Sequence, residues 1–248
     1  MIESIKKAFI LSVKAVKLFY IVAAVNILAN VVNLLVIPAP VEAEMSVGRS
    51  FLVLGIAILF LLIAIFITGG MLAYVKDLVK AGTANLAPFI DNSKKYFVRI
   101  LCLGLILLAI FIIGILVNRI LAFLPNALRV IVMILISVAV GIFLVMAPYA
   151  LVANELRVVE SLKKGISVAR KNFAKILGLI LIMLGIYIVL LIAASVIIAI
   201  LSLILRPLSS YITAIVIAIA MAVQAVLVNI AYMDFYLKSA EIKSAESR

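Results

Sequence analysis

The chain has 248 residues, of which 69% are hydrophobic and 13% are charged, and its mean hydropathy is +1.44. Soluble domains carry about 25% charged residues, so this composition excludes a water-soluble protein and indicates a membrane protein. The 22 lysines and arginines exceed the 10 carboxylates and give a net charge of +12. Because these cations flank apolar runs, they favour a membrane surface as the partner and argue against nucleic acid.

Six apolar runs are long enough to cross a bilayer, which takes roughly 20 residues. In chain order they cover residues 18–37, 51–75, 100–117, 130–153, 176–205 and 212–233. With their connections they use up the chain, so we expect one membrane domain over residues 1–248 that ends in a short polar tail at 237–248. The predicted fold class is an all-α polytopic membrane protein with six transmembrane helices.

A short phrase recurs along the chain. Residues 3–9, Glu-Ser-Ile-Lys-Lys-Ala-Phe, return at 160–166 as Glu-Ser-Leu-Lys-Lys-Gly-Ile, and residues 94–101 align with 170–177. This repetition predicts three units, at about 1–75, 84–153 and 157–236. Each unit is expected to contain a basic amphipathic helix followed by a hairpin of two spans, and Asn85 is the expected cap of the middle amphipathic helix.

The repeated segments have the pattern of interfacial helices. In 159–173, apolar residues recur at steps of three and four while cations occupy the other side. A helix this polar lies in the membrane interface, with its cations among lipid phosphates. Anionic headgroups are therefore the expected partners, beside a possible protein partner or a second copy, and no cofactor is expected. The candidate headgroup contacts are Lys6, Lys7, Lys14, Lys94, Lys95, Lys163, Lys164, Arg170 and Lys171.

Charge also predicts the orientation. Sorting by alternate loops leaves only Arg49, Arg119, Arg129 and Arg206 of the 22 cations on one side, with 18 on the other. The crowded side, which includes both termini, should be cytoplasmic in a multi-pass protein of the cell membrane. Val41-Glu42-Ala43 weakly resembles a signal-peptide cleavage site, but the basic preface recurs inside the chain, so we expect no cleavage.

Polar residues inside the spans leave two interpretations open. Asn26, Asn30 and Asn33 form one stripe on the first span, and Ser137, Gln224 and Asn229 are candidate partners from other spans. One interpretation is interhelical hydrogen bonding. The other is a polar cavity for a neutral or lipid-like molecule.

Acidic residues gather at the expected cytoplasmic edge. We expect them to pair with the basic helices and hold them at fixed angles, while their spacing matches no metal-ligand motif, so no metal is predicted. The chain has no histidine, no nucleophile-elbow serine and no paired midplane carboxylates, so we expect no enzyme. The acidic residues are Asp77, Asp91, Glu155, Glu160 and Asp234.

Several motifs resemble a known family. They are Gly69-Gly70-Met71-Leu72-Ala73-Tyr74, Tyr232-Met233-Asp234-Phe235-Tyr236, and segments within 146–155, 161–165 and 172–178. Together they resemble the membrane domain attached to some bacterial glycerophosphodiester phosphodiesterases, and related stand-alone membrane proteins of unknown function. The catalytic domain of those enzymes has no counterpart in this sequence. The resemblance implies a six-span fold with elbow-like interfacial helices.

Two functions follow as hypotheses. The first is a non-catalytic integral membrane module whose basic cytoplasmic surface binds anionic lipid or a partner protein. The alternative is a transporter or channel for a neutral or amphiphilic molecule, whose cavity is lined by the first-span asparagines.

Overall fold

The structure, a computed structural model, describes residues 1–36 and 47–246. The predicted turn at Pro38-Ala39-Pro40 and the cleavage-like Val41-Glu42-Ala43 lie outside the described residues. Short 3₁₀ turns lie at Leu121–Phe123 and Arg206–Leu208. The α-helices of the described part are α1 (Ile2–Lys14), α2 (Val16–Val36), α3 (Val47–Ala81), α4 (Phe89–Ile120), α5 (Asn126–Leu144), α6 (Ala147–Ala153), α7 (Val158–Lys171), α8 (Phe173–Ile204) and α9 (Ser209–Glu246).

Six stretches of the described chain are long and apolar enough to cross a membrane, and they coincide with the six predicted runs. Their outer surfaces expose many leucine, isoleucine and phenylalanine side chains, which lipid has to cover. The described residues contain no strand. The prediction of an all-α polytopic membrane protein is confirmed.

Two helix bounds differ from the predicted runs. The fourth span is broken at Val145 and Met146, between α5 and α6. Pro148 explains the break, because its ring lacks an N–H and clashes with the carbonyl four residues earlier. At the other end of the chain, α9 continues to Glu246, so the predicted polar tail is helical at least that far.

The basic segments do not all have the expected form. α1 and α7 are separate helices, and α7 ends where the Asn172 side-chain amide donates to the carbonyl of Val168. The middle segment, by contrast, is continuous with its span as the first turns of α4. Asn85 does not cap this helix; its side chain accepts the N–H of Ala87 in a turn before Pro88. No helix-ending residue then separates the middle basic segment from the apolar run.

Helix packing follows a pattern across the predicted units. α1 packs on α9, the start of α4 packs on α3, and α7 packs on α6, so each basic segment contacts the last span of another unit. The expected hairpin partners α2 and α3 touch only slightly, as do α4 and α5, whereas α8 packs closely along α9. α9 is the central helix, because it also contacts α2 and α3.

The buried core lies toward one end of the bundle. In α3, α4 and α8, most buried side chains lie in the last third, the first half and the first third of the helix, respectively, whereas α5 buries only Ile142. Buried tyrosines Tyr74, Tyr96, Tyr149, Tyr232 and Tyr236 mark the same region. We call this the basic end, because it contains α1, α7 and the start of α4. The helices are tightly packed there and loosely packed toward the opposite end.

Candidate functional site: the basic end of the bundle

The two separate basic helices each have three faces. Small residues face the protein, apolar side chains face outward, and cations occupy the remaining surface. In α1 the buried face is Ser4, Ala8 and Leu11, and in α7 it is Ser161, Gly165, Val168 and Ala169. The outward apolar faces include Ile2, Phe9, Val13, Val159 and Ile166. This arrangement suits a helix that contacts protein, lipid and water at once.

A buried carboxylate fastens α1 to the core. Asp234 of α9 is only 1% exposed. One of its oxygens lies 2.9 Å from Lys7 Nζ, and the other lies 3.0 Å from Lys238 Nζ. Lys7 also donates to the carbonyl of Val79 on α3 at 3.0 Å. The ion pairs compensate the cost of burying the carboxylate and join α1, α3 and α9.

A second carboxylate joins three further segments. Glu155 lies between α6 and α7 in the left-handed region, with φ of 53°, a conformation that costs a non-glycine residue of order 1 kcal/mol. Its carboxylate lies 2.9 Å from Lys95 Nζ and 3.9 Å from Lys76 Nζ, and Arg99 donates to its carbonyl at 3.2 Å. The hydrogen bond from Lys95 holds the pKa of Glu155 below its ordinary value. These contacts tie the connection to α3 and α4.

The other candidate carboxylates play smaller parts. Glu160 accepts the N–H of Arg157 at 3.2 Å and so caps the start of α7. Asp77 and Asp91 are exposed, and neither forms an ion pair with any residue the structure describes. Of the five candidate carboxylates, Asp234 and Glu155 are therefore the ones that form ion pairs with lysines of the basic segments among the described residues. Nowhere in the described chain do enough acidic or thiol groups converge to hold a metal ion.

Two of the polar span residues bond between helices. The hydroxyl of Tyr149 on α6 donates to the side chain of Asn229 on α9 at 3.1 Å. Gln224 donates to the carbonyl of Met183 on α8 at 3.0 Å. Both contacts match the interpretation of interhelical hydrogen bonding.

The remaining four residues lie in other places. Asn30 donates to the carbonyl of Asn26 on its own helix at 2.8 Å. Asn30 and Asn33 line a groove of about 260 Å³ between α2 and α3. Ser137 lines a separate apolar cleft between α4 and α5. The described contacts thus do not gather the six residues into one cavity.

The candidate headgroup cations differ in exposure and in their contacts. Lys7 and Lys95 form ion pairs, and Lys14 donates to the carbonyl of Gly82 at 3.2 Å. Lys164 is half-buried. The others are exposed and form no ion pair with the described residues; we call them the basic rim, and they are Lys6, Lys94, Lys163, Arg170 and Lys171.

Sequence reasoning missed several members of the basic end. It did not single out Lys76 and Lys238, which contact the carboxylates of Glu155 and Asp234, or Arg99, which donates to the backbone carbonyl of Glu155. It also missed the inward role of Ser4 and Ser161, although both fall at the same place in the repeated phrase. The available signal was a small residue four positions after each serine, Ala8 or Gly165, and an apolar residue seven positions after it, Leu11 or Val168.

Fold and site together define a multi-pass helical membrane protein with a tightly packed, cation-rich end. No protein-family model, curated protein or solved structure matches the chain.

Proposed function

We propose that this protein is a non-catalytic membrane module whose basic end binds anionic phospholipid headgroups of the cytoplasmic leaflet. The basic rim carries the proposal, because its five cations come from three segments and are left over after the structural ion pairs are made. Each basic residue near an anionic surface contributes about 1 kcal/mol. Five of them would attract anionic lipid strongly.

The apolar faces beside the rim support this proposal. Ile2 on α1, Ile90 on α4 and Val159 on α7 are 62%, 59% and 59% exposed. A segment that carries both exposed apolar side chains and cations fits the headgroup region of a bilayer. There the lysine stems lie against acyl chains, and the ammonium groups reach phosphates. A protein partner alone would not require this apolar face.

The predicted resemblance to the membrane domain of some glycerophosphodiester phosphodiesterases fits this proposal. Three residues of its motifs lie where the basic segments contact the rest of the protein: Gly70, Gly165 and Asp234. Those motifs therefore support an arrangement of interfacial helices.

A charge-removal experiment tests the proposal. A variant with Lys6, Lys94, Lys163 and Lys171 changed to glutamine is compared with Arg119→Gln/Arg206→Gln, which removes exposed cations at the opposite end. Both are reconstituted in nanodiscs that contain equal phosphatidylglycerol and phosphatidylcholine. We expect the wild type to retain phosphatidylglycerol preferentially during detergent extraction, as counted by mass spectrometry.

The lysine variant should lose most of this preference, and the arginine control should keep it. The difference should shrink at high salt, because exposed charges are screened. Equal retention by all three proteins would contradict the proposal. Binding of a soluble acidic protein to the rim without any lipid preference would favour a protein partner.

A route for a neutral or amphiphilic molecule is the second candidate function. The groove between α2 and α3 that Asn30 and Asn33 line is the observation that favours it. Flux of such a molecule across proteoliposomes, with loss of flux when both asparagines become leucine, would support this function over the first.

A further inference from the structure

A cleft of about 540 Å³ lies between α4 and α5. Its walls are residues 107–118 of α4 and 133–144 of α5, and its lining is largely apolar. The start of α4 packs on α3 and α5 packs on α7, whereas α4 and α5 touch each other only slightly. Phe111 and Ile113 at the edge of the cleft are exposed, so the cleft opens sideways to the bilayer.

The cleft is too narrow for a helix of another chain. Each wall runs about 16 Å along its helix, at 1.5 Å per residue. Over that length the volume gives a mean cross-section of about 34 Å², whereas a helix about 10 Å across needs about 80 Å². A hydrocarbon chain is thinner than a helix. The length of about 16 Å is also close to half of the roughly 30 Å hydrocarbon core, which is the share of one leaflet.

Glycines leave this cleft wide. Gly114 on α4 and Gly141 on α5 line it, and no atom lies within 4 Å of the Cβ that either would carry. Glycines of membrane helices usually permit close helix contact, as Gly70 and Gly165 do in this protein. Gly114 and Gly141 permit no such contact. They leave room that hydrocarbon has to fill, because the bilayer core holds no water.

Polar and charged groups lie at one mouth of the cleft. Asn118 lines the cleft in the last turn of α4, away from the basic end. Arg129 lies one helical turn before Met133 on the same face of α5. Its guanidinium donates to the side chain of Asn126 at 3.0 Å and forms no ion pair with the described residues. Further N–H donors and a positive charge are therefore left for a phosphate.

We propose that this cleft binds one phospholipid, whose acyl chain lies between α4 and α5 and whose phosphate contacts Arg129 and Asn118. The narrow apolar slot suits the chain, and the arginine at its mouth suits the phosphate. The site lies in the leaflet opposite to the basic end. It shares no residue with the basic rim, so either proposal can fail without the other.

Tryptophan fluorescence tests the site, because the chain contains no tryptophan. Phe111→Trp places one tryptophan in the cleft. Ile112→Trp is the control at the same depth, since Ile112 is exposed on α4 and does not line the cleft. Each full-length protein is reconstituted in phosphatidylcholine vesicles with rising fractions of phosphatidylglycerol that carries bromine on one acyl chain, which quenches tryptophan on contact. We expect Phe111→Trp to be quenched at mole fractions several times lower than Ile112→Trp.

Filling the cleft should remove this excess quenching. Gly114→Leu or Gly141→Leu, each made in the Phe111→Trp protein, should lower the quenching to the level of the Ile112→Trp control. Gly104→Leu should keep the excess, because Gly104 is equally open on α4 but lies outside the cleft.

Arginine substitution tests the contact with phosphate. Arg129→Gln in the Phe111→Trp protein should raise the mole fraction at half quenching severalfold, because a charge-assisted hydrogen bond is lost. Arg206→Gln removes an exposed cation at the same end of the bundle and should leave the half-point unchanged. An unchanged half-point in Arg129→Gln would overturn the phosphate contact.

Equal quenching of Phe111→Trp and Ile112→Trp at every lipid fraction would overturn the site. Excess quenching that survives both leucine substitutions would do the same. Shielding of the tryptophan at 111 from brominated lipid as the protein-to-lipid ratio rises would instead assign the cleft to a second copy of the chain, against the proposal.

Discussion

At the scale of single residues, two carboxylates organise the basic end in different ways. Asp234 is buried and joins helices through Lys7 and Lys238. Glu155 is half exposed and holds a connection in a strained conformation by its contacts with Lys95 and Arg99. The sequence grouped both with the basic segments, but it could not distinguish them from Asp77 and Asp91. Burial distinguishes Asp234, and nearby lysines distinguish Glu155; both depend on which helices cross.

Substitution of Asp234 tests the buried ion pairs. Asp234→Asn leaves Lys7 and Lys238 without their counter-charge, so we expect the free energy of unfolding to fall by about 1–3 kcal/mol. The expected loss is modest because the Lys7 and Lys238 side chains are 38% and 43% exposed, so solvent screens their charges. Unfolding in a denaturing detergent titration measures it. Asp77→Asn, which removes an exposed carboxylate, should change stability by less than about 0.5 kcal/mol; equal losses would contradict the role of Asp234.

At the scale of helices, close crossings depend on glycine and small residues. A Cβ on Gly165 of α7 would lie 2.7 Å from the backbone nitrogen of Ala147 on α6. A Cβ on Gly70 of α3 would lie 2.9 Å from the carbonyl oxygen of Phe89 on α4. The crossings place backbone against backbone, so a side chain could enter only if the helices moved apart. The same packing explains why small residues recur on the buried faces of α1 and α7.

A matched pair of glycine substitutions tests these crossings. Gly165→Ala should destabilise the protein by about 1–3 kcal/mol, because the contacted atoms belong to the backbone and cannot rotate away. Gly104→Ala on α4 meets no atom within 4 Å, and should be neutral or stabilise by up to about 1 kcal/mol through helix propensity. Thermal unfolding followed by size-exclusion chromatography measures both. Similar melting temperatures for the two variants would contradict the close crossing.

At the scale of the whole molecule, the packing is uneven across the membrane. The core lies at the basic end, and the spans separate toward the other end, where α4 and α5 leave an apolar cleft of about 540 Å³. The predicted hairpins of the first two units are therefore not packing units, and α9 holds α1, α2, α3 and α8 together instead. Within the described residues, the basic end is thus both the most tightly packed part and the most charged part of the protein.

Cysteine accessibility tests the orientation of this asymmetric molecule. In a Cys102→Ser background, Lys163→Cys and Arg206→Cys place single thiols at opposite ends. We expect a membrane-impermeant maleimide added to intact cells to label the cysteine at 206 only, because the excess of cations belongs on the cytoplasmic side. Permeabilised cells should show labelling at both positions. Labelling of position 163 in intact cells would reverse the orientation and move the proposed lipid surface to the outer leaflet.

The sequence by itself determined the membrane class, the six spans and the basic character of three segments, because hydropathy and helical periodicity are local properties of the chain. It also marked Glu155 and Asp234 as residues at one edge. Only the tertiary structure decided which helices pair and which lysines form ion pairs. It also decided that the serines of the repeated phrase face inward. Those features depend on contacts between residues far apart in sequence, such as Lys7 with Asp234, and no local pattern specifies which distant partner fills a crossing.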